Sequence, residues 1–377
     1  MKRRISLLLS LLFLLLLLPA PANGAALSLA SESAVLTEKT TGQVLYAQNE
    51  HAPLEPASVT KVMTLLLVME AIDAGRISYE DKVQCSAYAA SMGGSQVYLK
   101  EGEIMTVREL LKAAAVASGN DACVALAEHI AGSEEAFTER MNARAAELGM
   151  KDTHFCNCNG LPAEGHLTSA YDIALMSREL ILQHPDIRDF STIWMDSLRD
   201  GAFTLANTNK LLKSYEGCTG LKTGSTSTAG FCLAATAERD GMELIAVTLH
   251  AKSGTERFND AKTLLNYGFA AYTLAEVRPE TPLAPLPLRL AEEESVTPVP
   301  ASRKVLLKKE QVSSLTQEVA LPESLTAPLC AGDRIGTLTL LCEGEKIADI
   351  PLIVPLDLPK ISYAGLLTRL YRFALFA

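Results

Sequence analysis

Pro56-Ala57-Ser58-Val59-Thr60-Lys61-Val62-Met63-Thr64 stands immediately ahead of the apolar run Leu65 to Met69. A helix that begins in this stretch puts Ser58 and Lys61, three positions apart, on one face with Cβ atoms about 5–6 Å apart. Two readings fit. Serine is a favoured helix N-cap, and Ser-x-x-Lys at a helix start is common for that reason alone. In the other reading the Ser58 hydroxyl is a nucleophile, and the Lys61 amine, desolvated among apolar neighbours, takes its proton. The rest of the chain has to separate them.

The length of 377 residues predicts two or three domains. Charged residues make up 21% and apolar residues 48%, an ordinary globular balance. A net charge of −10 argues against nucleic acid as a partner, since no phosphate-binding surface is implied. Lys2, Arg3 and Arg4 precede an apolar run, Ile5 to Leu18, broken only by Ser6 and Ser10, and small residues follow at Ala22, Gly24, Ala25 and Ala26. This three-part pattern predicts an export signal over residues 1–25. The run is short for a membrane span, which needs about 20 residues, although an uncleaved anchor is the rival reading. In an exported chain the eight cysteines allow disulfides, and Cys218 and Cys232, flanking an expected hairpin, could face each other; free buried thiols fit equally well. Cys156-Asn157-Cys158 is too tight for zinc spacing and no His pair stands at ligand spacing near it, so no zinc site is expected, and no other metal or cofactor is read from the sequence.

Hydrophobic periodicity predicts a hairpin over residues 34–48, a helix from Ser58 to about Gly75, and a helix opened by the capping-box spacing Thr106-Val107-Arg108-Glu109. Further helices follow over about 121–132, 134–148 and 169–183, with a Gly/Asn/Pro loop over 156–166. The period then changes: strands are expected over 220–225, 230–238 and 244–249, then a helix over 255–268. This order predicts an α+β fold, an antiparallel sheet formed from both chain ends with a helical insertion, over residues 26–275. Beyond a proline-rich stretch, strand-like runs predict a small all-β domain over residues 276–357. In the tail, residues 358–377, Ser362, Gly365, Thr368, Arg369 and Arg372 make a narrow polar stripe on an otherwise apolar and aromatic helix. That pattern suits a helix lying in a membrane surface through residues 361–377; packing against its own protein is the alternative.

Three short motifs stand in order: Ser58-x-x-Lys61, Ser118-Gly119-Asn120 and Lys222-Thr223-Gly224. Each alone is weak, but together at a helix start, an interhelical loop and a strand they are specific. The set resembles the penicillin-recognising serine acyltransferases, and within them the low-molecular-mass D-alanyl-D-alanine carboxypeptidases. The stretch Ala57 to Thr64, Gly94-Ser95-Gln96-Val97 and Ala115 to Cys123 carry the likeness further, as does the layout of leader, catalytic domain, β domain and tail. The resemblance implies a β-lactamase/transpeptidase-like catalytic domain and a serine peptidase that takes the terminal D-alanine from peptidoglycan stem pentapeptides and is blocked by β-lactams. It implies an exported protein at the outer face of the cytoplasmic membrane. It also implies roles: Ser58 as nucleophile; Lys61 as its base, kept neutral with the help of Lys222; Ser118 as proton shuttle; Asn120 orienting substrate and lysine. Lys222 and Thr223 would hold the terminal carboxylate, the N–H groups of Ser58 and Ser225 would form the oxyanion hole, and Gly224 would leave room for substrate along the strand.

One departure from Gram-negative relatives is Ser225, where histidine often stands. Its implied role uses backbone only, so serine is compatible. A serine β-lactamase of class A would carry Glu-x-x-Leu-Asn between the second and third motifs; here Glu164 is followed by Gly165-His166-Leu167-Thr168. A DD-endopeptidase or transpeptidase with the same site remains the nearer alternative.

Overall fold

The computed structural model describes residues 27–302 and 304–376; the export signal expected over residues 1–25 lies outside them. The chain opens with β1 (Ser33–Glu38) and β2 (Val44–Gln48), and three more strands come much later: β3 (Cys218–Thr226), β4 (Gly230–Arg239) and β5 (Met242–Ala251). They form one antiparallel sheet of order β2-β1-β5-β4-β3, so β1 pairs with β5 and the two chain segments close on each other as expected. Strand periodicity divides the sheet's faces. Val35, Ala234, Ile245 and Val247 face the helical insertion, whereas Leu36, Leu233, Ala235 and Leu244 face the other side.

The insertion contains α1 (Lys61–Asp73), α2 (Val107–Val116), α3 (Asn120–Ala131), α4 (Glu134–Glu147) and α5 (Ala170–Gln183). Helix α1 is buried on all sides from Lys61 to Met69, as a helix without a polar face must be. The capping box forms as read: Glu109 N–H donates to Thr106 Oγ1 at 3.2 Å, and Thr106 N–H donates to the Glu109 carboxylate at 2.9 Å. On the opposite face of the sheet lies α6 (Gly254–Ala271), packed through Phe258, Ala261, Leu264 and Leu265. A Cβ at Gly268 would come 2.5 Å from a Leu244 methyl, which explains glycine at this close helix–sheet approach.

The expected β domain is present. Lys304–Lys308, Leu315–Ala320, Arg334–Cys342 and Glu345–Ile353 are strands, and the last three pair in sequence. Lys304–Lys308 pairs instead with Tyr272–Glu276, the strand that leaves α6. Residues Tyr363–Phe376 form a helix on which Tyr363, Leu367, Leu370, Tyr371 and Leu375 are exposed. No helix among the described residues is long and apolar enough to cross a membrane. All eight cysteines are free, and Cys218 and Cys232 lie at different levels of their hairpin, opposite Ala237 and Gly224.

Candidate active site

Ser58 does not cap α1. It lies in a 3₁₀ turn, Ala57–Thr60, which runs into the helix, and neither Pro56 nor Thr60 caps with its side chain. The Ser58 hydroxyl instead faces Lys61 Nζ at 2.8 Å. The residue before it, Ala57, has φ +48°, a left-handed conformation that residues with a Cβ rarely adopt. Two glycines allow the turn to sit where it does. A Cβ at Gly160 would lie 1.9 Å from the Ala57 carbonyl oxygen, and one at Gly224 would lie 2.8 Å from Ser58 N and Pro56 O. A reason for glycine at 224 is thus present in the protein itself, beside the expected room for substrate: the nearest obstruction to a side chain is the turn carrying Ser58.

Lys61 is wholly buried. Its Nζ donates to Asn120 Oδ1 at 2.6 Å and to the Asn159 carbonyl at 2.6 Å. The Asn120 amide nitrogen is engaged elsewhere, donating to Gly93 O at 2.7 Å, so its oxygen is the atom turned to the lysine. Burial lowers the pKa of Lys61 against opposing pulls from Cys123, Cys158 and Asp121. Of the two expected causes, desolvation leads and Lys222 is not among the groups that shift Lys61.

Ser118, in the loop between α2 and α3, also adopts a left-handed φ of +63°. Lys222, on β3, donates to Ser118 Oγ at 2.9 Å and to Thr223 O at 2.8 Å. It is buried too, and its pKa falls well below the ordinary lysine value through burial first and the charge of Lys61 second. Thr223 Oγ1 donates to Thr208 Oγ1 at 2.7 Å. Ser225 is exposed on β3, which is an edge strand with one row of backbone groups left unpaired by the sheet. Thus Ser58, Lys61 and Asn120 form one hydrogen-bonded set and Ser118 with Lys222 another, brought together by α1, the α2–α3 loop and β3.

Several contributors escaped the sequence reading. Asn159 acts through its carbonyl, for which a sequence has no signal beyond the Asn-Gly turn. Asp121 accepts from Val97 N at 3.1 Å and Leu99 N at 3.0 Å, fastening the 93–99 segment to the Ser-Gly-Asn loop. Arg257 donates to the Gly224 carbonyl at 2.8 Å and the Cys232 carbonyl at 3.2 Å, bracing β3 from α6. Its signal was a charge beside Phe258 on the apolar face of that helix. Among the described residues no group of His, Cys, Asp or Glu is gathered as a metal-ligand set.

A sequence profile of D-alanyl-D-alanine carboxypeptidases matches residues 20–253. The chain belongs to that family. A second profile, for the penicillin-binding protein 5 C-terminal domain, matches residues 291–360 of this carboxypeptidase. It is 43% identical over 347 residues to the D-alanyl-D-alanine carboxypeptidase DacF of Bacillus subtilis, covering 90% of this chain and 88% of DacF. Penicillin binding protein 5 from Haemophilus influenzae superposes with a TM-score of 0.80 at 29% identity, covering 89% of this chain and 99% of that one. Penicillin-binding protein D2 from Listeria monocytogenes, solved in its ampicillin-bound form, gives a TM-score of 0.59 at 33% identity over 64% of this chain and 99% of its own. This carboxypeptidase is thus a serine hydrolase of the D-Ala-D-Ala type with a penicillin-binding-protein fold.

Proposed function

We propose that the enzyme removes the terminal D-alanine of peptidoglycan stem pentapeptides through an acyl-enzyme on Ser58. One observation carries this reading. A neutral amine has two N–H donors and one lone pair. Around Lys61 Nζ, two partners can only accept, Asn120 Oδ1 and Asn159 O, and the third is the Ser58 hydroxyl. With both protons held by the acceptors, the lone pair of neutral Lys61 is left for the proton of Ser58.

Ser58 Oγ attacks the carbonyl between the two D-alanines and its proton passes to Lys61. The oxyanion is held by the N–H groups of Ser58 and Ser225, a contribution that typically amounts to about 10²–10³ in rate. Collapse breaks the C–N bond, and the departing amine receives, through Ser118, the proton that Lys61 took from Ser58. Lys222 and Thr223 hold the terminal carboxylate. Water then attacks the ester, gives a proton to Lys61, and releases Ser58 as a hydroxyl. A β-lactam enters by the same attack on its amide. The protein works outside the cytoplasm, divided into the catalytic domain 26–275, the β domain 276–357 and the tail 358–377, which rests on the membrane surface.

Fluorescent penicillin labels the wild type and leaves Ser58→Ala unlabelled; a labelled Ser58→Ala protein overturns the assignment. Free D-alanine released from a pentapeptide supports the carboxypeptidase reading, and cleavage confined to cross-linked dimers supports an endopeptidase instead.

A further inference from the structure

Behind the catalytic turn runs a chain of hydrogen bonds that the mechanism above does not use. The Ala57 carbonyl accepts from Thr60 Oγ1 at 2.8 Å. A hydroxyl has a single proton, so Thr60, having given its own to Ala57, accepts from its next partner, His166 Nε2, at 2.8 Å. The other ring nitrogen, Nδ1, accepts from the backbone N–H of Cys156 at 3.0 Å. An accepting ring nitrogen carries no proton, so His166 is the neutral Nε2–H tautomer and every donor from Cys156 to Ala57 points the same way. Thr60 and His166 are both buried, which leaves little room for solvent to replace either link.

The carbonyl at the end of this chain belongs to the same peptide unit as the Ser58 N–H. A peptide unit is planar, so fixing its oxygen fixes the direction of its N–H. The unit needs fixing, because Ala57 is held left-handed at φ +48°. We propose that His166 is a positioning residue for acyl transfer: through Thr60 it fixes the plane of the Ala57–Ser58 peptide and aims the Ser58 N–H at the oxyanion. This rests on Ser58 being the nucleophile. The titratable groups around the ring are His154, Cys156 and Glu55, which lines the same small cavity. Burial and the neighbouring His154 depress His166 to about 4, so the neutral tautomer persists across the working range.

The test compares wild type with His166→Phe, which keeps a ring and offers neither donor nor acceptor, and with His166→Gln, whose carboxamide offers one of each. Thr60→Val cuts the chain at its other link. Acylation by fluorescent penicillin is followed to saturation, and the thermal midpoint is recorded for each protein. His166→Phe and Thr60→Val should each slow the saturating acylation rate about tenfold to a hundredfold, with penicillin affinity little changed. The double variant should be no slower than the slower single, because both cut one chain. His166→Gln should recover most of the rate. The proposal fails if folded His166→Phe acylates within about twofold of wild type, if the two losses multiply, or if His166→Gln is as slow as His166→Phe. Should His166→Phe not fold, Thr60→Val decides by the same twofold criterion. A wild type that takes no label, or a Ser58→Ala protein that does, defeats the Ser58 reading instead.

Discussion

A buried lysine is expensive to keep charged, because an ammonium removed from water loses its hydration. Lys61 is wholly buried, and what surrounds its nitrogen is a set of acceptors instead of a carboxylate in direct contact. The same logic applies to His166, and there it predicts a pH dependence of stability. In the fold its pKa is lowered from 6.5 to about 4. Between those values the unfolded chain binds a proton that the fold refuses, so stability declines as pH falls from about 6.5 towards 4. Over pH 7.5 to 4.5 the loss assignable to His166 is about 2–3 kcal/mol. His166→Gln should remove this component, which denaturant unfolding at the two pH values measures; identical losses in both proteins would refute it. Ser58, Lys61 and Asn120 were legible because motif spacing encodes side chains. The Asn159 carbonyl and the left-handed Ala57 were not, because a backbone group carries no residue label.

The three motifs meet because three elements do: α1, the α2–α3 loop and edge strand β3. Helix α1 announced itself by being apolar all round, and β3 to β5 by their β-branched, apolar character. The strands Lys82–Gln84 and Ile104–Thr106, and the hairpin Met195–Leu198 with Phe203–Ala206, went unread because three or four residues are too few to show a period. Gly224 shows how an element contact can add to a substrate argument. If glycine there only left room for substrate, Gly224→Ala would weaken binding and leave the empty enzyme's stability unchanged. Since its Cβ would lie 2.8 Å from Ser58 N and Pro56 O, both of them backbone atoms, the turn must move to admit it. Gly224→Ala should therefore destabilise the ligand-free protein by about 1–3 kcal/mol. It should also slow penicillin acylation at saturation by at least about tenfold. An unshifted melting temperature with a loss confined to affinity would restore the substrate-room explanation.

At the scale of the molecule, the catalytic fold followed by an all-β domain was readable from shifts in composition: helical periods, then a proline-rich stretch, then short strands. What composition could not convey was that Lys304–Lys308 pairs back onto Tyr272–Glu276, since strand pairing across the proline-rich stretch has no local signature. The terminal helix touches the body lightly, with Arg369 donating to the Glu292 carbonyl at 2.7 Å, while Tyr363, Leu367, Leu370, Tyr371 and Leu375 stay exposed. A soluble helix leaves such a face uncovered at a cost of apolar hydration, and burying it in a lipid interface relieves that cost. Residues 358–377 carry only Lys360, Arg369 and Arg372 as charged side chains against a long apolar and aromatic face, so apolar burial is expected to supply most of the attraction and the basic side chains a smaller, salt-sensitive part. Membrane association should accordingly survive a high-salt wash and disappear when residues 361–377 are deleted. Among the described residues no hydrogen bond joins this helix to the catalytic site, so the truncated enzyme should release D-alanine from a soluble pentapeptide at the full-length rate. Vesicle sedimentation, with and without about 1 M salt, reads the first outcome, and a D-alanine assay reads the second. Release by salt would make the contact electrostatic, and sedimentation of the truncated protein would shift the anchor to the other end of the chain.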